Sequence, residues 1–150
     1  MTGARLLPGG PDPDLAEVDA ACHCGAVRLR LRLSDGLRTA RRCDCSFCRM
    51  RGAVAVSAPL DGITIVAGAE QLAEYRFNTR TAVHHFCRVC GIYTHHQRRS
   101  NPDEYGVNVA ILKDVSPFDF AEIPVGNGRC HPSDGGGGQA GTLTYRPAPA

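Results

Sequence analysis

Apolar and polar positions alternate with a period of two through the middle of the chain. Val27-Arg28-Leu29-Arg30-Leu31-Arg32-Leu33 alternates without a fault, the pattern of a half-buried strand. Val54-Ala55-Val56 and Ile63-Thr64-Ile65-Val66 read as short strands, separated by Pro59 and the Asp61-Gly62 turn. Leu72 to Phe77 and Thr81 to Phe86 predict a hairpin across Asn78-Thr79-Arg80. Tyr105 to Leu112 predicts a further strand. No segment carries a long helical stripe, so the expected fold is mainly β with antiparallel sheets.

The two ends differ from this pattern. Pro8, Gly9, Gly10, Pro11 and Pro13 argue against regular structure, so residues 1–17 are expected to form a flexible leader. Residues 18–125 form the expected domain. Residues 126–150 read as a Gly/Pro-rich tail, with the Gly135–Gly138 run and Leu143 and Tyr145 as anchor points.

Composition places the chain in the ordinary globular range, at 43% hydrophobic and 21% charged over 150 residues. No apolar run approaches the roughly 18 residues of a membrane span, and no signal-peptide core precedes Asp19. The formal charge of +2 is too small to point to nucleic acid. The stripe Arg28, Arg30, Arg32 reads as the charged face of a strand that resists edge pairing. A groove for nucleic acid is the sharper alternative.

Eight cysteines change the picture, at 22, 24, 43, 45, 48, 87, 90 and 130. Seven fall in three tight clusters, a spacing that suits chelation of an ion better than disulfides between neighbours. With no secretion signal, a cytoplasmic chain with reduced thiols is expected. Zinc is the default ion for grouped thiolates, with iron as the competitor. Cys22, Cys24, Cys87 and Cys90 suffice for a closed tetrahedral site joining strand ends roughly sixty residues apart. Pairing Cys22 and Cys24 with Cys43 and Cys45 is the other division. Cys43, Cys45 and Cys48 could then bind a second zinc, either with one open position, as catalytic zinc requires, or closed by Cys130 or a histidine.

The motifs Cys22-His23-Cys24-Gly25, Cys43-Asp44-Cys45-Ser46-Phe47-Cys48 and Phe86-Cys87-Arg88-Val89-Cys90-Gly91, in that order, resemble the glutathione-dependent formaldehyde-activating enzyme family. That family also contains the centromere protein V domain. The likeness covers about residues 18–125 and extends to Tyr105-Gly106-Val107-Asn108-Val109. It implies a small zinc-stapled β domain with two zinc ions per chain. Cys22, Cys24, Cys87 and Cys90 would hold a structural zinc, and Cys43, Cys45 and Cys48 a catalytic one. The implied reaction joins formaldehyde to glutathione and gives S-hydroxymethylglutathione; its reverse is a carbon–sulfur lyase step.

Charge counting suits that chemistry. Three thiolates on Zn²⁺ leave a net charge of about −1, a poor site for ionising water but a good one for a fourth sulfur. Arg41, Arg42, Arg49 and Arg51 flank the trio and can attract an anionic thiol such as glutathione. His84 and His85 are expected on opposite faces of a strand. One of His95 and His96 is a candidate to protonate the alkoxide formed on addition to an aldehyde. The expected partners are a small thiol and an aldehyde, without membrane or nucleic acid. A non-enzymatic zinc module that binds a protein partner is the competing reading.

Overall fold

The alternation at Val27–Leu33 has a direct structural consequence. A computed structural model describes residues 3–77, 79–98, 101–129 and 137–150. Its strands, in chain order, begin with β1 (Arg5–Leu6), β2 (Glu17–Ala21), β3 (Arg28–Arg32) and β4 (Arg42–Cys43). A one-and-a-half-turn helix, α1 (Ser46–Arg51), follows. Then come β5 (Ala55–Pro59), β6 (Ile63–Ala67), β7 (Leu72–Tyr75), β8 (Val83–Cys87) and β9 (Tyr93–Gln97). The last are β10 (Glu104–Asn108), β11 (Phe120–Gly126) and β12 (Gln139–Thr144).

β3 is the centre of a three-stranded antiparallel sheet in the order β2-β3-β6. Leu29 and Leu31 are buried while Arg28, Arg30 and Arg32 face solvent. Arg30 pairs with Asp19 at 3.0 Å and Glu17 at 3.5 Å, and Arg32 with Asp61. Two of the three stripe arginines are thus neutralised by their own sheet, which fits a charged strand face better than an anion groove. Exposed pairs of this kind contribute about 1 kcal/mol or less.

The second sheet is antiparallel in the order β5-β10-β9-β8-β7. Val56 and Val107 sit opposite each other in register at its buried centre. The predicted hairpin appears here as β7 paired with β8. The expected strand 105–112 stops at Asn108. There the Asn108 side chain accepts from Ala110 N and starts a 3₁₀ turn over Val109–Ile111, while its amide donates to the Tyr93 carbonyl. An Asn inside an apolar run offers the backbone an alternative to the ladder, and the chain takes it.

The third sheet gathers the ends of the chain. β11 pairs with β1 and β12 antiparallel and with β4 parallel, at Val125↔Arg42 and Gly126↔Cys43. Residues 5–6 and 139–144, expected to lie in irregular ends, are therefore strands. Leu6 and Leu15 pack on the core, and Leu7 N donates to the Asp119 carbonyl. Among the described residues, no helix is long and apolar enough to cross a membrane.

Candidate metal centres

The glycines after Cys24 and Cys90 shape the first centre. Gly25 and Gly91 both have φ of 79°, in the left-handed region that glycine enters without a Cβ penalty. Each closes a tight turn, with Gly25 N donating to the Cys22 carbonyl and Gly91 N to the Cys87 carbonyl. These two turns, one after β2 and one after β8, bring Cys22, Cys24, Cys87 and Cys90 together. Their sulfurs all lie within 4.8 Å of one another. Cys24 Sγ is 3.6 Å from Cys22 Sγ and 3.7 Å from Cys87 Sγ. Zinc–sulfur bonds of about 2.3 Å in a tetrahedron place sulfurs about 3.8 Å apart, so the cluster fits zinc. Cys22 and Cys87 are buried in the core, and Val27 N donates to Cys22 Sγ at 3.3 Å.

The second centre sits where β4 runs into α1. Cys43 ends β4, Cys45 caps the helix, and Cys48 lies in its first turn. The Cys45 thiol accepts from Cys48 N at 3.3 Å, and Cys43 Sγ accepts from Cys45 N at 3.5 Å. The three sulfurs also lie within 4.8 Å of one another. Hydrogen bonds from the Cys43 and Cys48 thiols, and from the amides opening α1, hold the Cys45 thiol far below its usual range. The same crowding pushes Cys48 up. Three sulfurs this close cannot all be thiolates without a cation, and a divalent ion removes the conflict. Both clusters can therefore hold metal ions and fit zinc.

The exit of β11 is laid over this second centre. A Cβ on Gly128 would stand 2.2 Å from Cys43 Sγ and 2.9 Å from Cys45 Cβ, so only glycine passes here. Asp44, between two of the cysteines, fastens that segment. Its Oδ1 accepts from Gly128 N at 2.7 Å and Arg129 N at 3.2 Å, and its Oδ2 pairs with Arg129 Nε at 3.1 Å. Cys130 and His131 lie outside the described residues, as does the question of a fourth ligand from Cys130.

Among the flanking arginines, Arg51 is the one in contact with the trio. Arg51 Nη2 donates to Cys48 Sγ at 3.5 Å and Nη1 to His84 Nδ1 at 2.9 Å. Its guanidinium lies 3.7 Å from the Tyr93 ring centroid and 4.8 Å from that of Phe47. Arg41 is a near neighbour, bonded through Nη1 to Ser57 Oγ and to the carbonyls of Thr39 and Ala55. Burial, with the nearby Arg98, brings its pKa down to about 10. Arg49 points to solvent from α1, and Arg42 lies in β4; neither bonds a sulfur of the trio among the described residues.

The histidines are arranged differently from expectation. His84 and His85 do face opposite ways, His84 in a tilted contact with Phe47 and His85 stacked on His95. His95 is buried, with Nδ1 3.0 Å from Thr94 Oγ1, and burial drags its pKa to about 3. His96 Nδ1 is taken by Tyr93 Oη at 2.6 Å. The histidine beside the trio is His84. Arginine only donates, so His84 Nδ1 accepts from Arg51 and the ring proton sits on Nε2. Burial and the Arg51 charge hold its pKa down at about 4, and Nε2 is buried with no partner among the described residues. An Arg three residues beyond a ligand on one helix turn was a readable signal. The place of His84 was not, because it depends on the register of β8.

Comparison with known proteins agrees with this geometry. Residues 17–123 match the family profile described as glutathione-dependent formaldehyde-activating enzyme. A Halomonas elongata protein named for glutathione-dependent formaldehyde activation is 36% identical over 81 residues. That match takes in 49% of this chain and 51% of the relative, so the chain spans about half the length of the curated relative it matches. The crystal structure of a Rhodobacter sphaeroides protein is 62% identical, with a TM-score of 0.70 over 71% of this chain and 98% of that one. With the family profile covering most of its length, the chain belongs to the glutathione-dependent formaldehyde-activating enzyme family.

Proposed function

We propose that the protein is a zinc-dependent carbon–sulfur lyase or synthase acting on thiol–aldehyde adducts, with glutathione as the thiol and S-hydroxymethylglutathione as the simplest adduct. The observation that carries this reading is the inequality of the two centres. One has four sulfurs and is closed by its own ligands. The other has three sulfurs among the described residues and is flanked by a cation, a buried donor with no partner among those residues, and a cavity. In this reading Cys22, Cys24, Cys87 and Cys90 hold a structural zinc, and Cys43, Cys45 and Cys48 hold the working one. Zinc on three thiolates supplies a fourth position that favours a sulfur ligand and lowers the proton affinity of a thiol there.

The remaining work belongs to the chain. In the forward direction the S–H bond of the thiol breaks, a C–S bond forms to the aldehyde carbon, and the proton ends on the former carbonyl oxygen. The reverse breaks that C–S bond and returns thiol and aldehyde. Arg51 offsets the charge of the thiolate set through Cys48. Its contact with His84 fixes the tautomer that leaves the proton on the buried Nε2, and in this reading that N–H stabilises the oxygen as negative charge develops on it. Arg41 and Arg51, with Arg42 and Arg49 farther out, supply the positive field for the carboxylates of glutathione. Holding thiol and carbonyl together contributes much of the acceleration.

Formaldehyde adds to glutathione unaided, so the test is a rate above the uncatalysed one. The zinc-loaded protein should accelerate adduct formation and breakdown. Cys45→Ser should lose the acceleration and one of two zinc ions, read by metal mass spectrometry, while far-UV circular dichroism stays native. Two zinc ions equally resistant to chelator, with no acceleration, would leave a structural module whose role is to bind a protein partner.

A further inference from the structure

A cavity of about 450 Å³ opens beside the second centre, between α1 and strands β7 to β9. Its wall is apolar and aromatic, formed chiefly by Phe47, Met50, Tyr75, Phe86 and Tyr93. Phe47 stacks on Tyr75 with centroids 5.2 Å apart and meets His84 in a tilted contact at 4.6 Å. Met50 and Tyr75 are 82% and 46% exposed. Arg51 lines this cavity and also donates to Cys48 Sγ, so the cavity adjoins the thiolate trio.

Two polar atoms of residues in this wall, Arg51 Nε and His84 Nε2, are buried without partners among the described residues. Both carry protons, and His84 is only 5% exposed. Unmet buried donors are costly, and each calls for an acceptor. The cavity therefore combines an aromatic wall with two donors buried just behind its polar end. Formaldehyde, scarcely larger than the roughly 30 Å³ share of one water, leaves most of that space unused. The charged ends of glutathione do not suit it either. Among the described residues no Asp or Glu lines the cavity to meet an ammonium group, and a single arginine is there to meet two carboxylates.

We infer that this cavity selects the aldehyde: the protein takes adducts whose carbon bears a bulky apolar substituent, aromatic or several carbons long, in preference to the one-carbon adduct. This rests on the thiol–aldehyde reading and adds the substrate class to it. The oxygen of the adduct lies toward His84 Nε2 and Arg51 Nε, and its substituent packs against Phe47 and Tyr75.

The test is calorimetric titration of the full-length, zinc-loaded protein with S-benzylglutathione and S-methylglutathione, stable stand-ins for large and small adducts. The benzyl compound should bind roughly tenfold more tightly or better. Tyr75→Ala, on an exposed edge strand, should bring that ratio close to one. Met50→Ala, at the exposed rim, should lower it by a smaller factor. Circular dichroism of both variants reports folding. Binding of S-methylglutathione with no gain from the benzyl group, or a ratio that survives both variants, would overturn the inference while leaving the thiol reading intact. Binding of neither compound would overturn the thiol reading and the inference with it.

Discussion

The two cysteine clusters use one side chain in two settings. Cys22, Cys24, Cys87 and Cys90 come from two glycine-bearing turns, and two of the four are buried in the core. Their neighbours are backbone amides and apolar side chains. Cys43, Cys45 and Cys48 come from one loop of six residues, all half-buried, and their neighbours are Arg51, Asp44 and the exit of β11. The first arrangement joins distant parts of the chain, so ligand loss is a folding event. The second is assembled locally at the start of a helix and held by contacts to its side chains. Ligand number among the described residues and sequence separation, more than residue type, set the two clusters apart.

The sharpest way to break this contrast is to remove one sulfur from each cluster. A metal that joins segments more than sixty residues apart contributes folding energy on the order of 10 kcal/mol, comparable to the whole stability of a small domain. Cys87→Ser should therefore leave the chain unfolded, with zinc lost and strand circular dichroism abolished. Cys45→Ser should keep the strand signal and a cooperative thermal transition. Unfolding by both variants alike would erase the distinction.

The next effect sharpens the contrast from the chemical side. His84→Phe keeps the aromatic stack and removes the N–H; His84→Gln keeps an amide donor near Nε2. Loss of a donor to a developing oxyanion costs about 10²–10³ in kcat. His84→Phe should show that loss with KM changed far less, and His84→Gln should recover part of it. Equal activity in all three proteins would remove His84 from the reaction.

How much of this was legible differs between the same two regions. The alternation at β3 and the CxCG and CxxCG turns announced the first centre, because glycine at those positions serves the backbone around a metal. The trio in the second centre was equally plain. Its surroundings were not. Arg51, Tyr75, His84 and Tyr93 come from four separate elements, and only the order β9-β8-β7 beside α1 makes them neighbours. The ends were missed for another reason. Arg5–Leu6 is two residues long, and β12 is almost wholly exposed, so neither has an apolar period to read; both are held by backbone bonds to β11 that any sequence can make.

The smallest predicted effect concerns what fastens the second centre in place. Asp44 has two roles that substitutions can separate: Oδ1 receives two backbone amides, and Oδ2 meets Arg129, which is 74% exposed. The exposed pair is screened by solvent and contributes little. The amide contacts hold Gly126–Arg129 against Cys43 and Cys45, as a partner that orients metal ligands does. Asp44→Ala should weaken metal binding at the second centre by about 10–100-fold and leave the first unchanged, measured by competition with a chromophoric chelator. Asp44→Asn, which keeps an acceptor for the amides, should fall at the low end of that range or below it. If the two variants weakened binding equally, the charge of Asp44 rather than its grip on the β11 exit would be what the second centre needs.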